Sequence, residues 1–319
     1  MARPLRLEFA DALYHVTSRG NERRPIFRTI QDRQTFLLFL GEAAKRFSWS
    51  VTAWVLMTNH FHLVIQIAEP NLSKGMQWLN SAYVNWYNRI HKRCGHLYQG
   101  RFKALLIEKE AYFADVLRYV ALNPVRANMC ARPEDYRWSS YRASAGLEAA
   151  PDWLDLAAVD NLFGPERETA QAAYREFVLA KIGCDDRLWD KLTNQLYLGT
   201  EAWSKEMRKK VETKPRSTDH PRTQRAIGRP KMYEIVDAVA KAAGETAESI
   251  RQTPGNILRG LIAWIGWHEG LVALRTIAAS LRLRSEGHIS NLIKACELSF
   301  STNTTLLTHK DCAIAQLRA

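Results

Sequence analysis

Hydrophobic and polar residues alternate with a period of two at four places in the first 110 residues, which is the spacing of a half-buried β-strand. These segments are also rich in β-branched and aromatic residues, such as Val51, Trp54 and Val55. The predicted strands span residues 11–18, 51–57, 60–67 and 101–107.

Apolar residues at helical spacing occupy the segments between and after these strands. The predicted helices span residues 29–47, 71–93 and 110–122. Asn71 is expected to cap the second helix, and the third is expected to stop before Pro124 because proline disfavours helix in the preceding residue. The order β-α-β-β-α-β-α predicts an α+β fold, a ferredoxin-like domain with a small antiparallel or mixed sheet and helices on one face.

The rest of the chain changes character several times. Aromatic and acidic residues after position 130 predict short helices that pack on the first domain, and no chemistry is evident there. Residues 205–231 contain ten Lys and Arg residues against three acidic residues. This segment is therefore either a phosphate-binding basic linker or an ordinary solvated connector. The predicted organisation is a first domain (1–130), a helical extension (131–204), the basic linker (205–231), a second domain (232–298) and a loosely ordered tail (299–319).

Residues 271–296 have the pattern of two helices joined by a short turn. Their predicted core residues are Ile277, Ala278, Leu281, Ile289, Leu292 and Ile293. The residues expected to face outward are Arg284, His288, Ser290, Asn291 and Lys294. Outward basic and polar residues on a second helix are typical of a DNA-binding helix-turn-helix, and a plain helical hairpin is the alternative.

Charge favours a polyanionic partner. Lys and Arg number 45 against 33 Asp and Glu, for a net charge of +12, so nucleic acid is the first expectation and an anionic membrane surface the second. No apolar run approaches the roughly 20 residues of a membrane helix, and no export signal is recognisable, so we expect a cytoplasmic protein that is not in a membrane. Five scattered cysteines without a Cys-x-x-Cys pair argue against disulfides and zinc ribbons.

Two histidines in the third predicted strand are the first candidates for chemistry. His60 and His62 are two residues apart, so their imidazoles point to one face of a strand while Phe61 points to the other. Together they form half of a metal site that needs a third ligand. The alternative is that they are ordinary surface or core histidines.

The third predicted helix carries the second pair. Tyr119 and Asn123 are four residues apart on one helix face, which suits a nucleophile beside a metal ligand. Equally, Tyr119 could be a packed aromatic residue and Asn123 the residue that ends the helix. Tyr112 lies seven residues earlier on much the same face and is the rival nucleophile.

Several ordered motifs resemble one family, the single-tyrosine HUH (His–hydrophobic–His) transposases, and especially their REP-associated tyrosine transposase branch. The motifs are Tyr-His-Val-Thr-Ser-Arg-Gly-Asn (14–21), Met-Thr-Asn-His-Phe-His (57–62), Tyr-Gln-Gly-Arg-Phe (98–102), residues 118–127 and Trp-Ser-Ser-Tyr (138–141). The resemblance covers about residues 5–145. Thr58 stands where the family pattern has proline, and Asn123 stands where other single-tyrosine relatives carry Gln.

The resemblance implies a ferredoxin-like nuclease in which His60, His62 and Asn123 bind a divalent metal ion, Mg²⁺ or Mn²⁺, and Tyr119 is the nucleophile. It implies cleavage of single-stranded DNA near hairpins through a 5′-phosphotyrosine, followed by strand transfer. The basic residues expected to hold DNA phosphates near the site are Arg19, Arg101, Arg118 and Arg126, with Arg126 the first choice.

Residues 232–298 resemble the DNA-binding domain of the bacterial replication initiator DnaA, mainly at 288–295, although Ser285-Glu286-Gly287 departs from that pattern. This resemblance implies duplex DNA binding through Arg284, His288, Asn291 and Lys294. A non-catalytic DNA-binding regulator that retains the nuclease fold is the main alternative function, and an RNA-processing enzyme is a weaker one. The sequence leaves monomer and homodimer open.

Overall fold

The alternating segments form one sheet in the computed structural model, which describes residues 7–184, 188–212, 225–253, 255–283 and 285–318. Its first four strands are β1 (Leu13–Arg19), β2 (Trp49–Leu56), β3 (His60–Ile67) and β4 (Lys103–Ile107). They lie in the order β2-β3-β1-β4, and every neighbouring pair is antiparallel. This is the ferredoxin-like arrangement, so the predicted α+β fold class is confirmed.

Three long helices alternate with these strands in the predicted order, α1 (Ile30–Phe47), α2 (Leu72–Ile90) and α3 (Lys109–Arg126). Thr29 and Asp32 form a capping box at the start of α1. Asn71 occupies the capping position of α2, but its side chain does not bond to the helix. Instead, its Oδ1 accepts a hydrogen bond from Trp49 Nε1 at 2.9 Å.

The sequence predicted that the third helix stops before Pro124. In the structure, α3 continues past Pro124 to Arg126. Proline has no N–H, so the carbonyl of Val120 loses its helical hydrogen bond. Leu122 and Pro124 are buried in the core, and this packing offsets the local cost. As a result, Asn123 lies within the helix, one turn beyond Tyr119.

The helices pack on both faces of the sheet, not on one. On β3, Phe61 points toward α1, where its ring lies 4.7 Å from that of Phe36. Val64 on the opposite face joins a buried cluster with Val116 and Val120 of α3. The third helix therefore covers the face that carries His60 and His62.

The helical extension also contributes to this unit, and it contains a strand that the sequence did not predict. Its elements are α4 (Tyr141–Ser144), α5 (Leu156–Phe163), α6 (Arg167–Leu179), a 3-10 helix (Leu188–Lys191), β5 (Tyr197–Leu198) and α7 (Glu201–Glu212). Strand β5 pairs in parallel with β4 and makes the sheet five-stranded. A two-residue strand is too short to leave a periodic signal in the sequence.

The described residues divide into two compact units at a boundary within α7, the first ending at Met207 and the second beginning at Arg208. The second unit contains α8 (Met232–Ala243), α9 (Ala247–Gln252), α10 (Ile257–His268), α11 (Leu274–Ser280), α12 (Glu286–Ser299) and α13 (Thr304–Arg318). Within the predicted basic linker, residues 205–212 are part of α7, and residues 213–224 lie outside the described residues. No described helix combines the length and the apolar character that a membrane span needs.

The predicted pair of helices in the second unit corresponds to α11 and α12. The residues predicted to form its core are buried or partly buried, and they belong to the hydrophobic cluster of this unit. The tail was expected to be loosely ordered but forms α13, because Leu306 and Ala313 are buried in the same cluster. An apolar stripe with a period close to 3.6 is the signal that could have identified this helix.

Candidate active site

Strand β3 brings His60 and His62 to one face of the sheet, as their spacing predicted. Their ring centroids are 5.0 Å apart, with the two ring planes at 74° to each other. His60 pairs with Arg19 of β1, and His62 pairs with Thr17. His62 is buried and His60 is half-buried, so the pair extends from the core toward the protein surface.

Asn59 fixes the orientation of the His60 ring. The Nδ2 of Asn59 donates a hydrogen bond to the carbonyl oxygen of Arg23 at 2.8 Å, so its Oδ1 faces His60. Because an amide oxygen only accepts, the Nδ1–H of His60 donates to it, over 2.7 Å. The lone pair of His60 is then on Nε2, the atom available to a metal ion.

A third histidine, His15 of β1, supports His62. The two rings are stacked, with centroids 5.0 Å apart, and His15 Nε2 lies 2.8 Å from His62 Nδ1, within hydrogen-bond distance. His62 Nε2 is a buried nitrogen with no hydrogen-bond partner among the described residues. If His62 Nδ1–H donates to His15, that Nε2 carries a lone pair, which suits a metal ligand.

All three imidazoles are held neutral. Burial lowers the pKa of His15 to about 3 and the pKa of His62 well below its ordinary value. Burial also lowers the pKa of His60 to about 4, and the charge of Arg19 adds to this effect. Since a protonated imidazole cannot bind a metal ion, this electrostatic environment keeps the ligand atoms available at neutral pH.

Tyr119 of α3 lies directly over this histidine cluster. Its ring makes edge-to-face contacts with His15 and His62, each at a centroid distance of 5.7 Å. Tyr112, the rival candidate, packs against the same buried cluster as Tyr119, but among the described residues its ring contacts no histidine, and Lys191 Nζ lies 5.6 Å from its centroid. Of the two candidates, Tyr119 is therefore the tyrosine that the fold brings to the histidines.

Asn123 is half-buried on α3, one helical turn after Tyr119. No group of three His, Cys, Asp or Glu side chains in the described part of the chain could hold a metal ion. A metal ion bound by His60 and His62 therefore needs a different third donor, and an amide oxygen such as that of Asn123 is chemically suitable. The unpartnered, buried Nε2 of His62 fits such a group.

The four arginines predicted to lie near the site have different surroundings. Arg126 contacts Tyr119, since its Nη1 donates to the Tyr119 carbonyl oxygen at 3.1 Å and its guanidinium lies 5.2 Å from the tyrosine ring centroid. Arg118 pairs with Asp115 and stacks on Phe177 at 4.1 Å. Arg19 is exposed beside His60, and Arg101 is exposed just before β4.

The contact between the helical extension and the site was not predicted from the sequence. Trp189, in the 3-10 helix of that extension, stacks on His15 with ring centroids 4.7 Å apart and planes 19° apart. It also meets the ring of Tyr119 edge to face at 5.0 Å. The aromatic content of the extension was visible, but its contact with a residue 174 positions earlier depends on the tertiary fold.

In the second unit, α12 places three of the predicted DNA-binding residues on its exposed surface, His288, Asn291 and Lys294. The fourth, Arg284, lies outside the described residues. Ile289 and Ile293 of the same helix are buried, so one face of the helix anchors it and the other is open. A helix of this kind can enter a DNA groove, although a packed hairpin has the same division of faces.

Residues 8–123 match the family model described as transposase IS200 like. This segment runs from before β1 to Asn123, and it includes all three histidines and Tyr119. The resemblance of the N-terminal domain to the single-tyrosine transposases is thereby confirmed at the level of this family. No curated protein matches the sequence.

Two solved structures are similar to parts of the chain. One is a REP-associated tyrosine transposase bound to a REP hairpin, with 19% sequence identity and a TM-score of 0.41, covering 50% of this chain and 96% of that chain. The other is a tRNA(His) guanylyltransferase from Saccharomyces cerevisiae, with 10% identity and a TM-score of 0.30, covering 65% of this chain and 96% of that chain.

Proposed function

We propose that the protein is a metal-dependent transposase that cleaves single-stranded DNA near hairpins and joins strands through a 5′-phosphotyrosine on Tyr119. The observation that carries this proposal is the edge-to-face contact of Tyr119 with His62, at a centroid distance of 5.7 Å. This contact supports the proposal because Tyr119 and the neutral imidazole of His62 both lie in the segment that matches the IS200-like transposases.

In the proposed reaction, the hydroxyl oxygen of Tyr119 attacks the phosphorus atom of a phosphodiester. The bond from phosphorus to the 3′ oxygen breaks, the 5′ phosphate is left on Tyr119, and the phenolic proton is transferred to the leaving oxygen to give a 3′-hydroxyl. Attack by a 3′-hydroxyl reverses these steps and rejoins a strand. One ester replaces another at each step, so no nucleotide cofactor is needed.

His60 Nε2, His62 Nε2 and the amide oxygen of Asn123 would hold the divalent cation, Mg²⁺ or Mn²⁺. When bound, the cation polarises the scissile phosphate and neutralises charge that develops on its oxygens. Asn59 and His15 orient the two imidazoles through their Nδ1 atoms. Arg126, next to Tyr119, and Arg19, next to His60, supply positive charge for the DNA backbone.

The second unit would bind duplex DNA beside the hairpin. The support for this part is the exposed face of α12, which presents His288, Asn291 and Lys294. A tethered duplex-binding unit raises the local concentration of the single-stranded substrate at the nuclease.

The test is a covalent adduct. The full-length protein is incubated with labelled single-stranded DNA that contains a hairpin from the flanks of its own gene, with Mn²⁺, and the products are separated on a denaturing gel. We expect an adduct that is lost in Tyr119→Phe and in His60→Ala. Tyr112→Phe is the matched control and should form the adduct normally.

Each other outcome has a definite meaning. Tight DNA binding without an adduct in the wild-type protein would favour the non-catalytic regulator. An adduct that persists in Tyr119→Phe and disappears in Tyr112→Phe would overturn the choice of nucleophile. An adduct that forms equally in the presence of EDTA would overturn the metal dependence.

A further inference from the structure

A cleft of about 800 Å³ opens beside Tyr119, between the end of α3 and the segment that follows α6. One wall comes from α3 and the residues just after it, and it includes Tyr119, Val125 and Arg126. The other wall comes from residues 181–184 and Trp189. This second wall lies outside the segment that matches the transposase family, so the family match does not account for the cleft.

The cleft combines positive charge with an aromatic surface. Of the described residues that line it, Arg126 and Lys181 are cationic and none is acidic. Trp189 is held in place by His15, which stacks on its ring, and by the edge contact with Tyr119. A fixed aromatic ring with nearby cations is the arrangement with which proteins bind single-stranded nucleic acid, because every base has a face that can stack.

The volume and the position of the cleft restrict the size of the ligand and its place relative to Tyr119. Its volume is within the range of about 300–1,000 Å³ that is typical of small-ligand pockets, which is enough for a nucleotide. Because Tyr119 lines the cleft, an occupant lies next to the proposed nucleophile. Arg126 connects the two places, since it bonds to the Tyr119 carbonyl oxygen and also lines the cleft.

We infer that this cleft binds one unpaired nucleotide of single-stranded DNA that adjoins the scissile phosphate. Its base stacks on Trp189, and its phosphate is held by Arg126 and Lys181. This inference rests on the proposed function, since it requires that Tyr119 acts on DNA. It gives the helical extension a role in choosing and positioning the DNA strand.

The first experiment measures binding to a hairpin oligonucleotide with a single-stranded foot, taken from the flanks of the gene. The full-length Tyr119→Phe protein is used so that no cleavage occurs, and dissociation constants are obtained by fluorescence anisotropy. An abasic site is moved through each position of the foot. At one position we expect it to weaken binding about 10- to 100-fold.

Trp189→Ala in the same background should weaken binding to the intact foot by a similar factor. It should have no additional effect on the oligonucleotide with the abasic site at that one position, because the stacking partner is already absent. Trp189→Phe should retain most of the affinity. Trp78→Ala is the matched control, since Trp78 is half-buried on α2 next to Phe39, and it should bind like its parent.

Lys181→Ala keeps the inference testable if Trp189→Ala does not fold. Lys181 is exposed, so its replacement leaves the core intact. We expect weaker binding and a shallower salt dependence, with the slope of log K against log salt reduced by about one. Unchanged binding in Lys181→Ala together with purely additive effects of Trp189→Ala and every abasic site would overturn the inference.

Cys184 provides a test without any substitution. It is exposed and lines the cleft, whereas Cys94 and Cys312 are exposed elsewhere. Saturating oligonucleotide should slow alkylation of Cys184 relative to both other thiols, as measured by mass spectrometry of the labelled peptides. Equal rates of Cys184 alkylation with and without oligonucleotide would contradict occupancy of the cleft.

The two proposals fail in different ways. Suppose that the wild-type protein forms the covalent adduct, but the effects of Trp189→Ala and of every abasic site on the binding free energy are additive. The cleft inference is then wrong and the proposed function stands. If no adduct forms and no DNA is bound, the proposed function is wrong and the cleft inference is overturned with it.

Discussion

His15 and His62 form a buried hydrogen-bonded pair, with Nε2 of the first 2.8 Å from Nδ1 of the second. The two residues lie on neighbouring strands, two positions apart in the register, so the contact is a diagonal one across the sheet. The bond occupies one nitrogen of His62 and leaves the other directed away from His15. His15 therefore positions the ring of a predicted metal ligand.

Removing this support should weaken metal binding. We expect His15→Leu, which cannot accept a hydrogen bond, to bind Mn²⁺ about 10- to 100-fold more weakly than the wild-type protein. His15→Gln retains an acceptor and should stay within a few-fold of wild type. Isothermal titration calorimetry with Mn²⁺ measures both, and equal affinity of His15→Leu and wild type would contradict a positioning role.

The third ligand can be tested at Asn123. We expect Asn123→Ala to lose Mn²⁺ affinity and adduct formation, because it lacks the amide oxygen. Asn123→Gln carries the same amide on a longer side chain and should preserve much of both. If Asn123→Ala binds Mn²⁺ as well as wild type, the metal is not bound by this residue.

The buried, neutral His15 makes the stability of the first unit depend on pH. Its pKa is about 3 in the folded protein against 6.5 when exposed, so between these values the unfolded state binds more protons. The free energy of unfolding therefore falls as the pH drops below 6.5, by up to about 1.4 kcal/mol per pH unit from His15 alone, and the lowered pKa values of His60 and His62 make the slope steeper. Hydrogen exchange of β1 amides in EDTA should show this slope, and His15→Gln should reduce it.

Duplex binding by the second unit depends on the exposed face of α12. We expect Lys294→Ala to weaken binding of the full-length protein to duplex DNA from the same flanks, and to reduce the salt slope by about one. Lys241→Ala is the matched control, because Lys241 is an exposed lysine on α8 that pairs with Asp237 at 2.7 Å. Equal loss in both variants would indicate a general charge effect.

The periodic elements were the predictable part of this molecule. The alternation of His60, Phe61 and His62 was sufficient to place two imidazoles on one face, because the period of a strand is fixed by its geometry. The four-residue spacing of Tyr119 and Asn123 likewise corresponds to one helical turn in the structure, because α3 continues past Pro124. The continuation was not predicted because proline locally disfavours a helix. The core packing that offsets this cost cannot be read from the local sequence.

Contacts between distant segments were not predictable in the same way. His15 is 47 residues from His62, and their contact depends on the register between β1 and β3. Trp189 reaches the site from a segment with no periodic signal, through a 3-10 helix of four residues. Such contacts depend on loops and short elements, which single-sequence patterns do not specify.

The proposed function requires that Tyr119 becomes covalently attached to DNA, so the decisive measurement identifies the residue that carries the attachment. The adduct formed with the hairpin oligonucleotide and Mn²⁺ is digested with protease and nuclease, and the modified peptide is identified by mass spectrometry. We predict a nucleotide phosphate on Tyr119, in the peptide that also contains Asn123. A phosphate on Tyr112 or on any other residue would show that Tyr119 is not the nucleophile.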